Sequence, residues 1–356
     1  MVTNLLTASH QWRNRPADER FSNLSDLKNA VLNRRNISYE GVIDTQRLSV
    51  SPVRDSISLK YDSQDLTMTH WSFGQLCNLA GAPASYLRTL PADLVSQNLN
   101  YALPKARESA KILLTTNGNT EVRAFTSASY GRIWDIDVVR AVENLCEQNS
   151  SWHNPPSYRR TGTDGTKMEN AGLYASDRDV FMFLIDEDHP IEVRNERLSR
   201  GLFIWNSEVG KSSFGLTTFL YRYVCGNHIV WGAENVKEIR IRHSLNAPSR
   251  AFSEMMPVLK KYIESSTGYE TSTIKKAMEY RPAINKESTL EWLQRQGFTK
   301  AISENAYDYA IREEGEGTSL WNIVQGLSAM ARDRKHIDTR VDLERQAGKL
   351  LNMAVN

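Results

Sequence analysis

The stretch Val180-Phe181-Met182-Phe183-Leu184-Ile185 is apolar at every position. A strand turns alternate residues to opposite faces, so a run without a polar face predicts a strand buried on both sides. Such a strand needs a covering layer on each side, which excludes a single open sheet. A chain of 356 residues can supply those layers, with room for about two domains at roughly 150 residues each.

A second constraint lies upstream. Ile112–Thr116 and Val122–Phe125 flank Asn117-Gly118-Asn119, and an Asn-Gly step tolerates positive φ, which closes a tight hairpin. Further strands are expected at Ile57–Tyr61, at Gly201–Trp205 and, by strict alternation, at Val236–His243. Helical spacing predicts Ser25–Asn33 with Ser22 or Ser25 as N-cap. It also predicts a Thr69-capped helix that stops at Gly81, and turns over Tyr86–Leu90 and Leu94–Leu99. Asp135 is expected to cap Ile136–Gln148, and Ser212 or Ser213 to open a helix through Cys225. Beyond Pro248 helical periodicity dominates, in Phe252–Ser265, Thr289–Gln296, Lys300–Arg312, Leu320–Arg332 and Asp342–Met353. The expected class is α+β: a mixed/antiparallel sheet body with packed helices, then a helical C-terminal part. Residues 1–22 read as a polar arm, 23–250 as the body and 251–356 as the helical region.

Charge narrows the function classes. With 44 Lys and Arg against 42 Asp and Glu, the net charge is +2, which excludes a broadly polybasic binder and leaves only local basic surfaces for nucleic acid. Cys77, Cys146 and Cys225 are far apart, so neither a disulfide scaffold nor a cysteine-rich zinc site is expected. No apolar run approaches the ~18 residues of a membrane span, and no signal peptide is visible. A cytoplasmic protein without membrane contact is expected.

Several segments invite a chemical reading. Val209-Gly210-Lys211-Ser212-Ser213 has the ending of a phosphate loop, but Trp205 stands where such a loop needs glycine. A strand-to-helix turn with Ser212 as N-cap is the plainer expectation. Asp186, Asp188, Glu208, His228 and His243 are candidate ligands of a metal-dependent nuclease, although no HExxH or paired histidine spacing supports them. No nucleophile elbow or activated cysteine is present, so no catalytic residue and no cofactor are assigned. Around Ile239 and Ile241, Arg240 and Arg242 share the opposite strand face about 7 Å apart, near the phosphate spacing of an extended strand. Lys111, Arg123 and Arg132 lie near the hairpin with Tyr130 among them. Cations that track a backbone beside aromatic faces form a single-strand binding surface. The spacing Leu290–Gln296, Gly297, Lys300–Arg312 suggests a helix-turn-helix, but Glu304 and Asp308 would repel DNA, so bundle packing is expected.

Three stretches together are more specific: Trp12…Arg15-Pro16-Ala17-Asp18-Glu19-Arg20-Phe21, Gly118…Arg123-Ala124-Phe125-Thr126-Ser127…Tyr130, and Trp205-Asn206-Ser207-Glu208-Val209-Gly210. Followed by Tyr221–Asn227 and Arg242-His243, they resemble the phage/plasmid-like protein family carrying the domain of unknown function 932, over roughly residues 10–250. The chain has His228 after Cys225-Gly226-Asn227 where that family commonly has glycine. The resemblance implies a protein of mobile elements. By analogy of context it suggests a DNA-handling role: binding or annealing single-stranded DNA in recombination or replication, with self-association. A counter-defence protein that binds a host immune factor through Trp12 and its arginines is the alternative, besides the nuclease.

Overall fold

The computed structural model of the protein describes residues 17–106, 109–155, 160–161, 167–168, 172–222, 228–229, 239–333, 346–351 and 353. The chain opens with β1 (Arg20–Phe21) and α1 (Leu24–Asn36). Asn23, rather than Ser22 or Ser25, caps α1: its Oδ1 accepts the Asp26 N–H at 2.8 Å. The next elements are β2 (Ser38–Asp44), β3 (Leu48–Val53), β4 (Ser56–Tyr61) and β5 (Gln64–Met68). Helices α2 (His70–Leu79), α3 (Ala84–Leu87) and α4 (Ala92–Ala102) follow, then β6 (Ser109–Asn117), β7 (Asn119–Ser127) and α5 (Asp135–Gln148). Thr69 caps α2 as expected. Gly118 sits at φ +78° in the β6–β7 turn, a conformation that glycine adopts without steric cost.

These strands form a six-stranded sheet in the order β2-β6-β7-β5-β4-β3, antiparallel except for β5 beside β7. One face carries Ile112, Leu114, Val122 and Phe125 into a core with Leu76, Val95 and Leu99 of the helices. The other face presents Leu113 and Ala124 to Val209, far along the chain.

The second sheet uses β8 (Trp152–His153), β11 (Leu173–Ala175), β12 (Val180–Asp186), β13 (Ile191–Val193), β14 (Glu196–Asn206), β15 (Phe214–Arg222), β16 (His228–Ile229) and β17 (Ile239–Ile241). The short pair β9 (Arg160–Thr161) and β10 (Lys167–Met168) stands apart. The main order is β1-β11-β12-β14-β15-β16, with β8 on β12, β13 on β14 and β17 on β15. Every residue of β12 is buried, as its apolar run requires. Met182, Leu184, Leu202, Ile204 and Leu216 face α1 and α5. Opposite them lies an aromatic face in which Phe203 stacks on Phe183 at 4.6 Å and on Trp205 at 5.0 Å.

Residues 214–222 are a strand, not the helix expected from their spacing. Phe214, Tyr221 and their neighbours satisfy both periods, and side-chain volume across the pair decides. A Cβ at Gly215 would fall 2.1 Å from the Trp205 ring, and one at Gly201 would fall 2.4 Å from Phe219. These two glycines make room for rings from the facing strand, so β14 and β15 pair from Leu198↔Arg222 to Trp205↔Gly215. Ser212 therefore lies in a strand-to-strand connection and caps no helix.

Helices α6 (Ala247–Glu264), α7 (Gly268–Glu279), α8 (Lys286–Arg295), α9 (Lys300–Glu314) and α10 (Leu320–Asp333) complete the chain, and residues 346–351 are helical. The α7 helix was not among the expected elements. α6 packs into the core of the second sheet. The helices after it bury Ile274, Trp292, Leu293, Trp321 and Leu327 against Ile191, Leu198 and Leu220 of that sheet. α8 and α9 join at Gly297 (φ +92°) and share this core, as bundle packing predicts. Among the described residues no helix is long and apolar enough to cross a membrane.

Candidate functional site

The end of β14 and the connection after it reach from the second sheet to the first, and Asn206, Ser207, Glu208 and Val209 each have a defined partner. Asn206 Nδ2 donates to the Ile133 carbonyl and to Asp135 Oδ1, both at 2.8 Å. The Ser207 carbonyl accepts the Tyr130 hydroxyl at 3.0 Å, and its Oγ donates to the Arg178 carbonyl at 2.6 Å. Glu208 pairs with Arg123 of β7 at 2.9 Å, and its other carboxylate oxygen accepts the Asp135 N–H at 3.0 Å. The Val209 carbonyl accepts Trp71 Nε1 at 3.0 Å and Gln75 Nε2 at 2.8 Å, both from α2. Gly210 then turns with φ +77°.

A polar segment without solvent must have its groups paired internally, since each buried unpaired polar group costs about 1–3 kcal/mol. This turn meets most of that demand by interlocking the two sheets, with Asn206 Oδ1 left as a buried acceptor without a partner. The stretches Arg123…Tyr130 and Trp205…Gly210, far apart in sequence, form one buried unit.

That geometry corrects the expected binding surface. Arg123 and Arg132 are each only 4% exposed and point inward. Arg123 is held by Glu208, while Arg132 donates Nε to Glu40 at 2.8 Å and Nη1 to the Glu208 carbonyl. Tyr130 is buried and stacks on His243, with ring centroids 4.9 Å apart. Lys111 is half-buried and its Nζ donates to the Tyr130 carbonyl at 2.8 Å. None of these four presents its polar end as an open phosphate contact. Arg240 and Arg242 behave differently: both are exposed, while Ile241 between them is buried. The Arg240 guanidinium lies 6.0 Å from the Trp205 ring centroid. The two arginine groups therefore do not form one groove.

The metal candidates also separate. Asp186 pairs with Arg200 at 3.2 Å and with His189 at 2.9 Å, and Arg200 further donates to the Tyr262 and Ser265 carbonyls at the end of α6. Asp188 is exposed beside this pair. Glu208 is committed to Arg123, and His243 meets the Gly131 carbonyl at 3.2 Å. His228 lies in β16, with its side chain outside the described residues. Among the described residues no group of three His, Cys, Asp or Glu side chains could hold a metal ion.

Electrostatics in the interlock follow from burial. Asp135 is the first residue of α5, not its cap, and its carboxyl is pushed up to about 8, chiefly by loss of solvent and next by the Glu208 charge. In the folded chain it holds its proton at pH values where the unfolded chain has lost it. Its stabilising contribution is therefore full below pH ~4 and is lost as pH rises towards 8. Asp135→Asn, whose amide oxygen can still accept from Asn206, is expected to flatten that decline. Urea unfolding from pH 5 to 8 checks it, and a decline as steep as in the parent chain would refute it. His243 acts in the opposite sense. Burial holds its imidazole neutral down to about 4, so its contribution is lost as pH falls from about 6.5.

Taken together, fold and site define a two-sheet α+β protein locked by a buried polar turn. Residues 157–330 match the family model described as Domain of unknown function (DUF932). The match starts later and reaches further into the helices than the resemblance over residues 10–250 suggests. It includes the turn at 206–211 and excludes the hairpin that the turn engages. No curated protein and no solved structure matches the chain.

Proposed function

We propose that the protein binds single-stranded DNA through phosphate contacts centred on Arg240 and Arg242, without a cofactor. The observation that carries this reading is a pair of exposed arginines at alternate positions, Arg240 in β17 and Arg242 just after it, with Ile241 buried between them. Among the described residues β17 pairs with β15 alone, and α6 follows with Lys261 exposed near its end. Arg250 and Lys260, also on α6, are partly answered by Glu254 and Glu264 one turn on, so the local charge is smaller than the cations alone suggest. Phosphates neutralised along such a surface release counterions, which makes the affinity fall steeply with salt. A role in annealing for recombination or replication of mobile elements, in the cytoplasm and with self-association, is the finer form of this reading. The alternative that rests on Trp12 concerns residues outside the described ones.

The test is an anisotropy titration of a fluorescent oligothymidylate at several salt concentrations. The double variant Arg240→Ala/Arg242→Ala is expected to bind at least tenfold more weakly, with a salt slope about 1–2 lower. Arg123→Met, which removes an inward cation, is expected to leave the affinity of the folded fraction unchanged. Equal binding by the double variant and the parent would exclude this surface.

A further inference from the structure

A cleft of about 330 Å³ opens on the six-stranded sheet where β4 and β5 meet the starts of α2 and α4. It lies among residues that the binding reading above does not use. Ile57, Met68, Phe73, Leu87, Leu90 and Val95 supply its apolar lining. At this volume it falls within the usual range of small-molecule sites, roughly 300–1,000 Å³, and is about twice the size of a cavity that accepts benzene.

Ser56, Thr67, Thr69 and His70 also line the cleft, and Arg88 brings a full positive charge to it. Arg88 donates Nη2 to the His70 carbonyl at 2.9 Å, and its guanidinium lies 5.1 Å from the Phe73 ring centroid. Both contacts orient the fork, and neither neutralises it. Among the described residues no carboxylate is ion-paired with it. Asp55 also lines the cleft; it and Arg88 are both exposed, so water and salt screen both charges. An oriented guanidinium beside an apolar wall recognises a planar anion bidentately while the wall takes an apolar body. Phe73, beneath the guanidinium, adds apolar surface beside it.

We infer that this cleft binds a small aromatic carboxylate, with the anion on Arg88 and the ring system among Met68, Phe73, Leu87 and Val95. The site is separate from β17, so it stands or falls without the DNA reading.

2-Naphthoate is the probe, titrated by calorimetry against the full chain, with neutral 2-naphthamide as its uncharged counterpart. The carboxylate is expected to bind about tenfold or more tightly than the amide, the scale of one charge-assisted contact. Arg88→Leu should erase that preference, Arg88→Lys should restore part of it, and Ala92→Phe, which places a ring into the cleft, should abolish binding of both. Equal affinity of the parent chain for the two probes, or no heat with naphthoate at millimolar concentration, overturns the assignment. So does an undiminished preference in Arg88→Leu. The comparison of the two probes uses the unaltered protein and is independent of how any variant folds.

Discussion

Glu208→Ala is expected to lower the unfolding free energy by about 3–5 kcal/mol, the usual cost of leaving one member of a buried ion pair without its partner. Arg123 and Glu208 have side chains 5% and 2% exposed, so water cannot replace the missing carboxylate. The remaining acceptors on Arg123, Ser38 Oγ and the Asp177 carbonyl, satisfy N–H groups but carry no charge. The Asp135 N–H also loses its acceptor. One effect works against the loss. Without the Glu208 charge, the Asp135 carboxyl is easier to ionise and can supply part of the negative charge, which places the expected cost nearer the lower end. Glu208→Gln keeps an acceptor for the Asp135 N–H and should recover about 1 kcal/mol. Arg123→Met combined with Glu208→Leu removes both charges and should recover most of the deficit, as apolar replacements of buried pairs often do. Urea unfolding of the four chains checks the series. A Glu208→Ala chain within 1 kcal/mol of the parent would mean that the turn does not lock the sheets.

How far this interlock could be read from the sequence depends on where its partners lie. The β12 run and the β6–β7 hairpin are local signals, and both strands form as their residues dictate. Arg240 and Arg242 are local too: alternation with Ile239 and Ile241 places them outward, as found. The inward course of Arg123 and Arg132 is not a local property, because their neutralising groups are remote. Glu208 is 85 residues from Arg123, and Glu40 is 92 residues from Arg132. Nothing within the hairpin distinguishes a solvated arginine from one that crosses to another sheet. One usable sign lay in the partner, since Glu208 sits between Trp205 and Val209, both core residues. The strand at 214–222 was lost for a related reason. Its apolar positions fit either period, and the ring volume of Trp205 against Gly215 acts only once the pairing exists.

Arg222→Ala is expected to have the larger effect of the two, at or above about 5 kcal/mol near neutral pH, because two carboxylates lose the same cation. Arg222 leaves the end of β15 and meets Glu196 of β14 on one side and Glu314 of α9, at 2.6 Å, on the other. Those side chains are 10% and 8% exposed, and Gln325 of α10 contacts the same guanidinium at 3.4 Å. The site thus joins the second sheet to the helical region at a point where the apolar packing of Leu198, Leu220 and Trp321 is close by. In the variant, two like charges share a dry space, and each raises the carboxyl pKa of the other. Protonation relieves that repulsion, so the deficit should be greatest at pH 8 and shrink as pH falls towards 5. Loss of packing alone would instead give a deficit that is independent of pH. Arg222→Met distinguishes the two causes further, since it restores much of the stem volume without the charge and should retain the pH-dependent part. Unfolding in urea at pH 8 and pH 5 reads both. Amide exchange should accelerate in α9 and α10 before the β6–β7 hairpin if the arginine is what holds the helices to the sheet. Uniform acceleration through both regions would instead place Arg222 within a single cooperative unit spanning the whole chain.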